Sequence, residues 1–196
     1  MRHVPSLVLL LFAPALGVAL GLLLATATPR LHVPLLMAVA LGVMTGAAVG
    51  LLGYRLAVAG LVPWALACCL GWGGALGGYH LGEYRSAFLG KVADETTFER
   101  AIQGLEPLDD AALVDEGDRI LVRRVGTPGF AGFLKYRVVA GLSVKGPMAA
   151  VWPTLPSPAA VAVWLLDAVV ALAVIVRVGL GARRRLRTRS PAVTSA

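Results

Sequence analysis

Between Arg2 and Arg30 the chain carries no charged side chain, and Val4 to Ala27 is a nearly unbroken apolar run. A bilayer core of about 30 Å needs roughly 20 helical residues, so this run is long enough to span one. Pro5 and Pro14 do not veto a span, because membrane helices tolerate proline. Three more runs of the same kind follow, at about Leu35–Gly53, Leu56–Tyr79 and Ala159–Gly179. Only 15% of the 196 residues are charged, against about 25% in soluble domains, and the mean hydropathy is +0.78. These features predict a mainly α membrane fold. Residues 1–79 hold three spans, 80–158 form a small α+β insert, 159–180 form the fourth span, and 181–196 are a basic tail. Ala25-Thr26-Ala27 resembles a signal-peptide cleavage site, but signal cores run about 7–15 residues, so a retained helix is the stronger expectation.

Orientation follows from arginine placement. Arg183, Arg184, Arg185, Arg187 and Arg189 supply +5 of the +7 net charge and hold the tail in the cytoplasm by the positive-inside rule. Counting back, Arg2 and Arg55 lie inside, Arg30 and the insert outside, in the periplasm of a bacterial inner membrane. The abundance of arginine and the absence of asparagine suggest a GC-rich bacterial genome. Trp72, Tyr79, Tyr84 and Trp152 suit the aromatic belts of the interface.

Gly42, Gly46 and Gly50 recur every fourth residue, as do Gly17 and Gly21 in the first span and Gly73 and Gly77 in the third. Such steps let helix backbones approach closely. They serve packing within the chain or contact with a second copy, the former being favoured because three spans carry them. Tyr54-Arg55 is expected to be the whole link between spans two and three.

The insert, His80–Pro158, has ten acidic and nine basic residues, so no single-sign field covers it. Leu81, Tyr84, Phe88 and Val92 predict a helix continuing span three. Thr96 and Glu99 match a capping box, Gly104 a helix stop, and Pro107 a break. Asp115–Asp118 predicts a turn before a strand at Ile120–Val125. Thr127 and Pro128 predict the start of a helix that ends at Gly141, with a second short strand at Leu142–Lys145. A module of this size without cysteines is marginal alone, so it is expected to rest on the spans, a second copy or a partner. Phe130, Phe133, Leu134 and Val138 are the candidate docking face.

Gly129-Phe130, Phe133-Leu134, Tyr136 and Gly141, followed by Trp164-Leu165-Leu166-Asp167, resemble uncharacterised bacterial multi-pass inner-membrane proteins with a periplasmic insert before the last span. The resemblance implies a shared architecture over the last third of the chain and assigns no activity.

Asp167 is the sharpest candidate for chemistry. Near the centre of span four a charged aspartate costs about 2.5–3.5 kcal/mol. It is either a proton or cation site, or a neutral, protonated link between helices, hydrogen-bonded to Thr45 at similar depth or to a backbone carbonyl. Cys68-Cys69 is the sole cysteine pair, adjacent and mid-span, and fits buried structural thiols better than an intramembrane redox centre. His3, His32 and His80 are scattered and offer no metal-ligand spacing. No GxSxG, HExxH or P-loop occurs. The arginine tail is an anchor that also attracts anionic lipid, and the chain lacks the folded basic surface of a nucleic-acid binder. The expectation is a non-enzymatic accessory or assembly protein without cofactor or metal. Its partners are the bilayer and a membrane protein or second copy. The alternative is a small transporter or channel component using Asp167.

Overall fold

The computed structural model describes residues 4–27, 35–58, 60–140 and 156–188, with side chains through 185. Every regular element among the described residues is helical: α1 (Val4–Ala27), α2 (Leu36–Arg55), α3 (Leu61–Gly82), a π-helical segment (Glu83–Leu89), α4 (Gly90–Ile102), α5 (Asp110–Val125), α6 (Gly129–Ala140) and α7 (Ser157–Thr188). Four helices are long and apolar enough to cross a membrane: α1, α2, the continuous helix from Leu61 to Ile102, and α7. The chain divides into two compact units.

The first unit contains α1, α2, α3 through Tyr79, and α7 from Leu165. Lipid is as apolar as leucine, so hydrophobic burial gives no net drive for helix association, and close packing must supply it. Glycine provides that packing in two parallel pairs. On α1, a Cβ at Gly17 would overlap the carbonyl oxygen of Gly71, and one at Gly21 that of Ala75. Reciprocally, Gly74 meets the Pro14 carbonyl and Gly78 the Val18 carbonyl. Partner numbers rise together, so α1 and α3 run parallel. Between α2 and α7, a Cβ at Gly42 would lie 2.7 Å from Val174 Cβ, at Gly46 3.0 Å from Ile175 Cα, and at Gly50 3.0 Å from Ala182 Cβ. This pair is parallel too. On α3 a Cβ at Gly73 or Gly77 would meet nothing within 4 Å inside the chain, so these two do not serve packing between its described helices. Gly71, Gly74 and Gly78 make those contacts.

The α2–α3 link is longer than expected. Tyr54 and Arg55 complete the last turn of α2, and α3 does not begin until Leu61. The chain reverses through Ala57 at φ 51°, with Val58 N–H donating to the Gly53 carbonyl at 3.1 Å. Trp64, fully buried, donates its indole N–H to the Val58 carbonyl at 2.9 Å. Gly53 makes room for that ring, since a Cβ there would lie 2.8 Å from it. Trp64 joins Leu9, Ala13, Val49, Ala67, Cys68 and Ile175 in the core of this unit.

The second unit, which joins Ala25–Val33 to His80–Trp164, contradicts the α+β expectation for the insert, since no strand occurs among its described residues. The run Ile120–Val125, expected as a strand, is the last part of α5, and Asp115–Asp118 lies inside the same helix. Asp109 caps α5 by accepting the Ala112 N–H at 2.7 Å, and Gly126 closes it at φ 72°. Gly117 and Leu121, four apart, are buried. Caps and a helical burial pattern override the β preference of Ile120, Val122 and Val125, which is strongly context-dependent. The stripe Leu81, Tyr84, Phe88, Val92 does continue helix three, through the π-helical segment. Thr96 is not a cap. It lies within α4, where its hydroxyl donates to the Val92 carbonyl at 2.8 Å, while the helix stops before Gly104 at φ 68°. Thr127 and Pro128 precede α6, which begins at Gly129. There the Gly129 N–H donates to Asp118 Oδ1 at 2.7 Å, and Thr127 Oγ1 accepts from Lys135 instead of capping.

The core of this unit is aromatic. Tyr84, Leu89, Leu121 and Phe133 are buried, with Phe88, Phe130 and Tyr136 against them. Ring centroids of Tyr84 and Phe133 are 5.4 Å apart, and those of Phe88 and Phe133 5.7 Å, within the range of favourable aromatic pairs. The expected stop at Gly141, the strand at Leu142–Lys145, Trp152, the turn at Thr28–Pro34, His3, His32 and Arg189 lie outside the described residues.

Candidate functional site

Asp167 sits on α7 in the first unit. Its Oδ1 accepts the backbone N–H of Leu35 at 2.8 Å, at the residue that precedes α2. The first N–H groups of a helix have no partner within it, and the macrodipole favours negative charge there. Leu35, at φ 65°, has no side chain able to cap, so a carboxylate from another helix serves α2 instead. Thr45 is not its partner. It lies ten residues further along α2, about 15 Å at 1.5 Å per residue. It is fully buried against Gly71, and among the described residues its hydroxyl has no hydrogen-bond partner. Asp167 therefore stands level with the start of α2, not with its middle. Beside it, the Trp72 indole donates to the Ala168 carbonyl at 2.9 Å, a second tie between helices.

The same alignment brings up Arg177, which sequence reading passed over while weighing Asp167. The Gly46 contact with Ile175 and Val178 sets this arginine beside the middle of α2. Its signal was present: it is the only basic residue between Ala159 and Gly179. Arg177 and Arg185 both line a groove between α2 and α7, with Gly50, Tyr54 and Gly181. Of the tail arginines, Arg183 is half-buried with its Nε unpartnered among the described residues, Arg184 and Arg185 are exposed, and α7 carries the backbone of Arg187.

A charge cluster in the second unit was missed altogether. Glu83 Oε2 receives His80 Nδ1 at 3.0 Å and pairs with Arg137 Nη1. Arg137 also lies over the rings of Trp164, at 5.2 Å, and Phe133, at 5.9 Å. Glu83 lies beyond the apolar stretch that ends at Tyr79. Burial alone would raise its carboxyl, but the His80 hydrogen bond and the Arg137 charge outweigh this and hold it down at about 2. A carboxylate so held is a fixed charge that ties α6 to the π-helical segment, and is unsuited to proton transfer near neutrality. Nothing in the sequence pairs residues 83 and 137, 54 positions apart.

The remaining candidates separate. Cys68 is buried, with its thiol 4.0 Å from the Ile175 carbonyl, whereas Cys69 is exposed. Both are free thiols, and the adjacent pair does not face a common site. Among the described residues no group of three histidine, cysteine or acidic side chains is placed to hold a metal. The α6 stripe divides. Phe133 and Phe130 serve the aromatic core, while Leu134 and Val138 remain exposed, together with Val139 at 65%. On α4, Phe98 and Ile102 are exposed at 70% and 73%, four residues apart. Comparison with known proteins finds no matching family model, no similar curated protein and no similar solved structure.

Proposed function

We propose that this chain is a polytopic membrane protein of the accessory or assembly type, whose water-facing insert binds a protein partner. The observation that carries the reading is the large apolar side chains left uncovered on an otherwise polar helical unit: Phe98 and Ile102 on α4, Leu134 and Val139 on α6. Scattered apolar residues are ordinary, but exposed phenylalanine and isoleucine one turn apart suit a contact surface. The transport alternative, built on Asp167, loses support because its Oδ1 is already engaged by the Leu35 N–H.

The proposed setting is a bacterial inner membrane with both termini cytoplasmic and the insert periplasmic. Parallel pairing of α1 with α3, and of α2 with α7, supports alternating crossings of this kind. Alkaline phosphatase fused within residues 95–145 should then be active, and fused after Arg189 inactive. The reverse pattern would overturn the orientation. For function, the double variant Phe98→Ser, Ile102→Ser should release whatever co-purifies with the wild type in mild detergent, while leaving the melting temperature unchanged. Retention of the same proteins by the variant defeats the reading. Acid-driven flux in proteoliposomes that vanishes in Asp167→Asn would establish transport instead.

A further inference from the structure

We infer that the groove between α2 and α7 is a binding site for one anionic phospholipid, its headgroup phosphate held between Arg177 and Arg185. The inference rests on the membrane reading above and goes beyond the general attraction of a basic tail for lipid. Arg177 is the starting point. It lies in the apolar part of α7, beside the middle of α2, and among the described residues it makes no ion pair or hydrogen bond. An arginine at such a depth is costly unless an anion or water meets its charge.

The groove supplies the place for that anion. Arg177, Gly181 and Arg185 recur every fourth residue and so line one side of it, with Gly50, Leu51 and Tyr54 opposite, around about 900 Å³. The two arginines are about 12 Å apart along α7 at 1.5 Å per residue, a span that two long guanidinium side chains close on a single phosphate. Bidentate pairing of guanidinium with phosphate oxygens gives the contact both strength and orientation. The floor is small or apolar, and Gly181 has nothing within 4 Å of where a Cβ would stand. An acyl chain fits that surface, whereas a free inorganic ion would leave it bare. Basic pockets between membrane helices on the cytoplasmic side are known to take anionic headgroups.

The test is native mass spectrometry of the full-length protein, delipidated in detergent. It is titrated with phosphatidylglycerol, with phosphatidylcholine of the same acyl chains, and with inorganic phosphate. The wild type should hold one phosphatidylglycerol at least ten-fold more tightly than phosphatidylcholine, and should hold no phosphate. Arg177→Gln should lower that preference about ten-fold, and Arg177→Lys should restore most of it. Gly181→Leu fills the groove without meeting backbone and keeps both arginines, so it should fold normally and lose the bound lipid. Arg184→Gln, outside the groove lining, should change binding less than two-fold. Equal retention of both lipids, unchanged binding in Arg177→Gln and Gly181→Leu, or an equal loss in Arg184→Gln would overturn the site. Phosphate held as tightly as lipid would show a free-anion site instead. Resistance of the chain to alkaline carbonate extraction checks the membrane reading separately.

Discussion

The two units are held together by different physics. In the bundle, α1 and α3 touch backbone to backbone, with Gly17, Gly21, Gly74 and Gly78 each facing a carbonyl oxygen of the other helix. Dispersion and weak Cα–H···O contacts supply the attraction there. In the insert, bulk does the work: Tyr84, Phe88 and Phe133 fill the space between helices, and a largely buried Glu83–Arg137 pair ties them. Small residues are the adhesive where water is absent, and large ones where water must be displaced. A mutation that adds volume should therefore harm the first unit most, and one that removes volume or a charge should harm the second.

The sharpest way to break this contrast is to add side chains along α3. Gly74→Leu or Gly78→Leu should cost about 3 kcal/mol or more, since a carbonyl of α1 occupies the space. Gly73→Leu and Gly77→Leu should stay within about 0.5 kcal/mol, as for other exposed positions. Thermal unfolding in detergent reads both, and equal losses would show that α1 and α3 do not pack as described. Next in size, Arg137→Met leaves the Glu83 carboxylate without its main counter-charge in a site only 13% exposed, a loss of about 3 kcal/mol. Hydrogen exchange should quicken in α6 and leave α1 unchanged.

The same pair predicts an acid response. A carboxyl whose folded pKa is depressed stabilises the fold above its unfolded value, about 4.3, and loses that contribution as pH falls toward about 2. The insert should loosen across that window, and Arg137→Met should weaken the dependence, leaving the part that His80 supplies. A smaller effect is expected at Asp167. Replacement by alanine should cost about 1 kcal/mol, as for a lost helix cap, and asparagine, which keeps an acceptor, should cost less. Faster exchange confined to the first turn of α2 would localise the loss. Smallest is Asp109→Ala at the start of α5, near 0.5–1 kcal/mol on the same cap scale.

Much of the bundle was legible because its signals are local. A charge-free run sets a span, and α1 occurs at Val4–Ala27 as the hydropathy predicts. The glycine period was also visible, but a period of four does not say which of two adjacent stripes faces inward, hence Gly73 and Gly77 in place of Gly74 and Gly78. In the insert, Ile120–Val125 has strand composition, and the evidence against it lies in Asp109 and Gly126, outside the run itself. Thr96 followed by Glu99 fits a cap only if a helix begins there, and that helix was already under way from Gly90. The Asp167–Leu35 and Glu83–Arg137 ties join residues 132 and 54 positions apart, and no local pattern encodes them. Arg177 is legible in the sequence as the one basic residue between Ala159 and Gly179.

The carboxylate that seals α2 also bears on biogenesis. Asp167 is made 132 residues after Leu35, which at about 5–20 residues per second is on the order of 7–26 s of synthesis. Throughout that interval the start of α2 lacks its Asp167 seal. A truncated product that stops before α7 lacks the seal permanently.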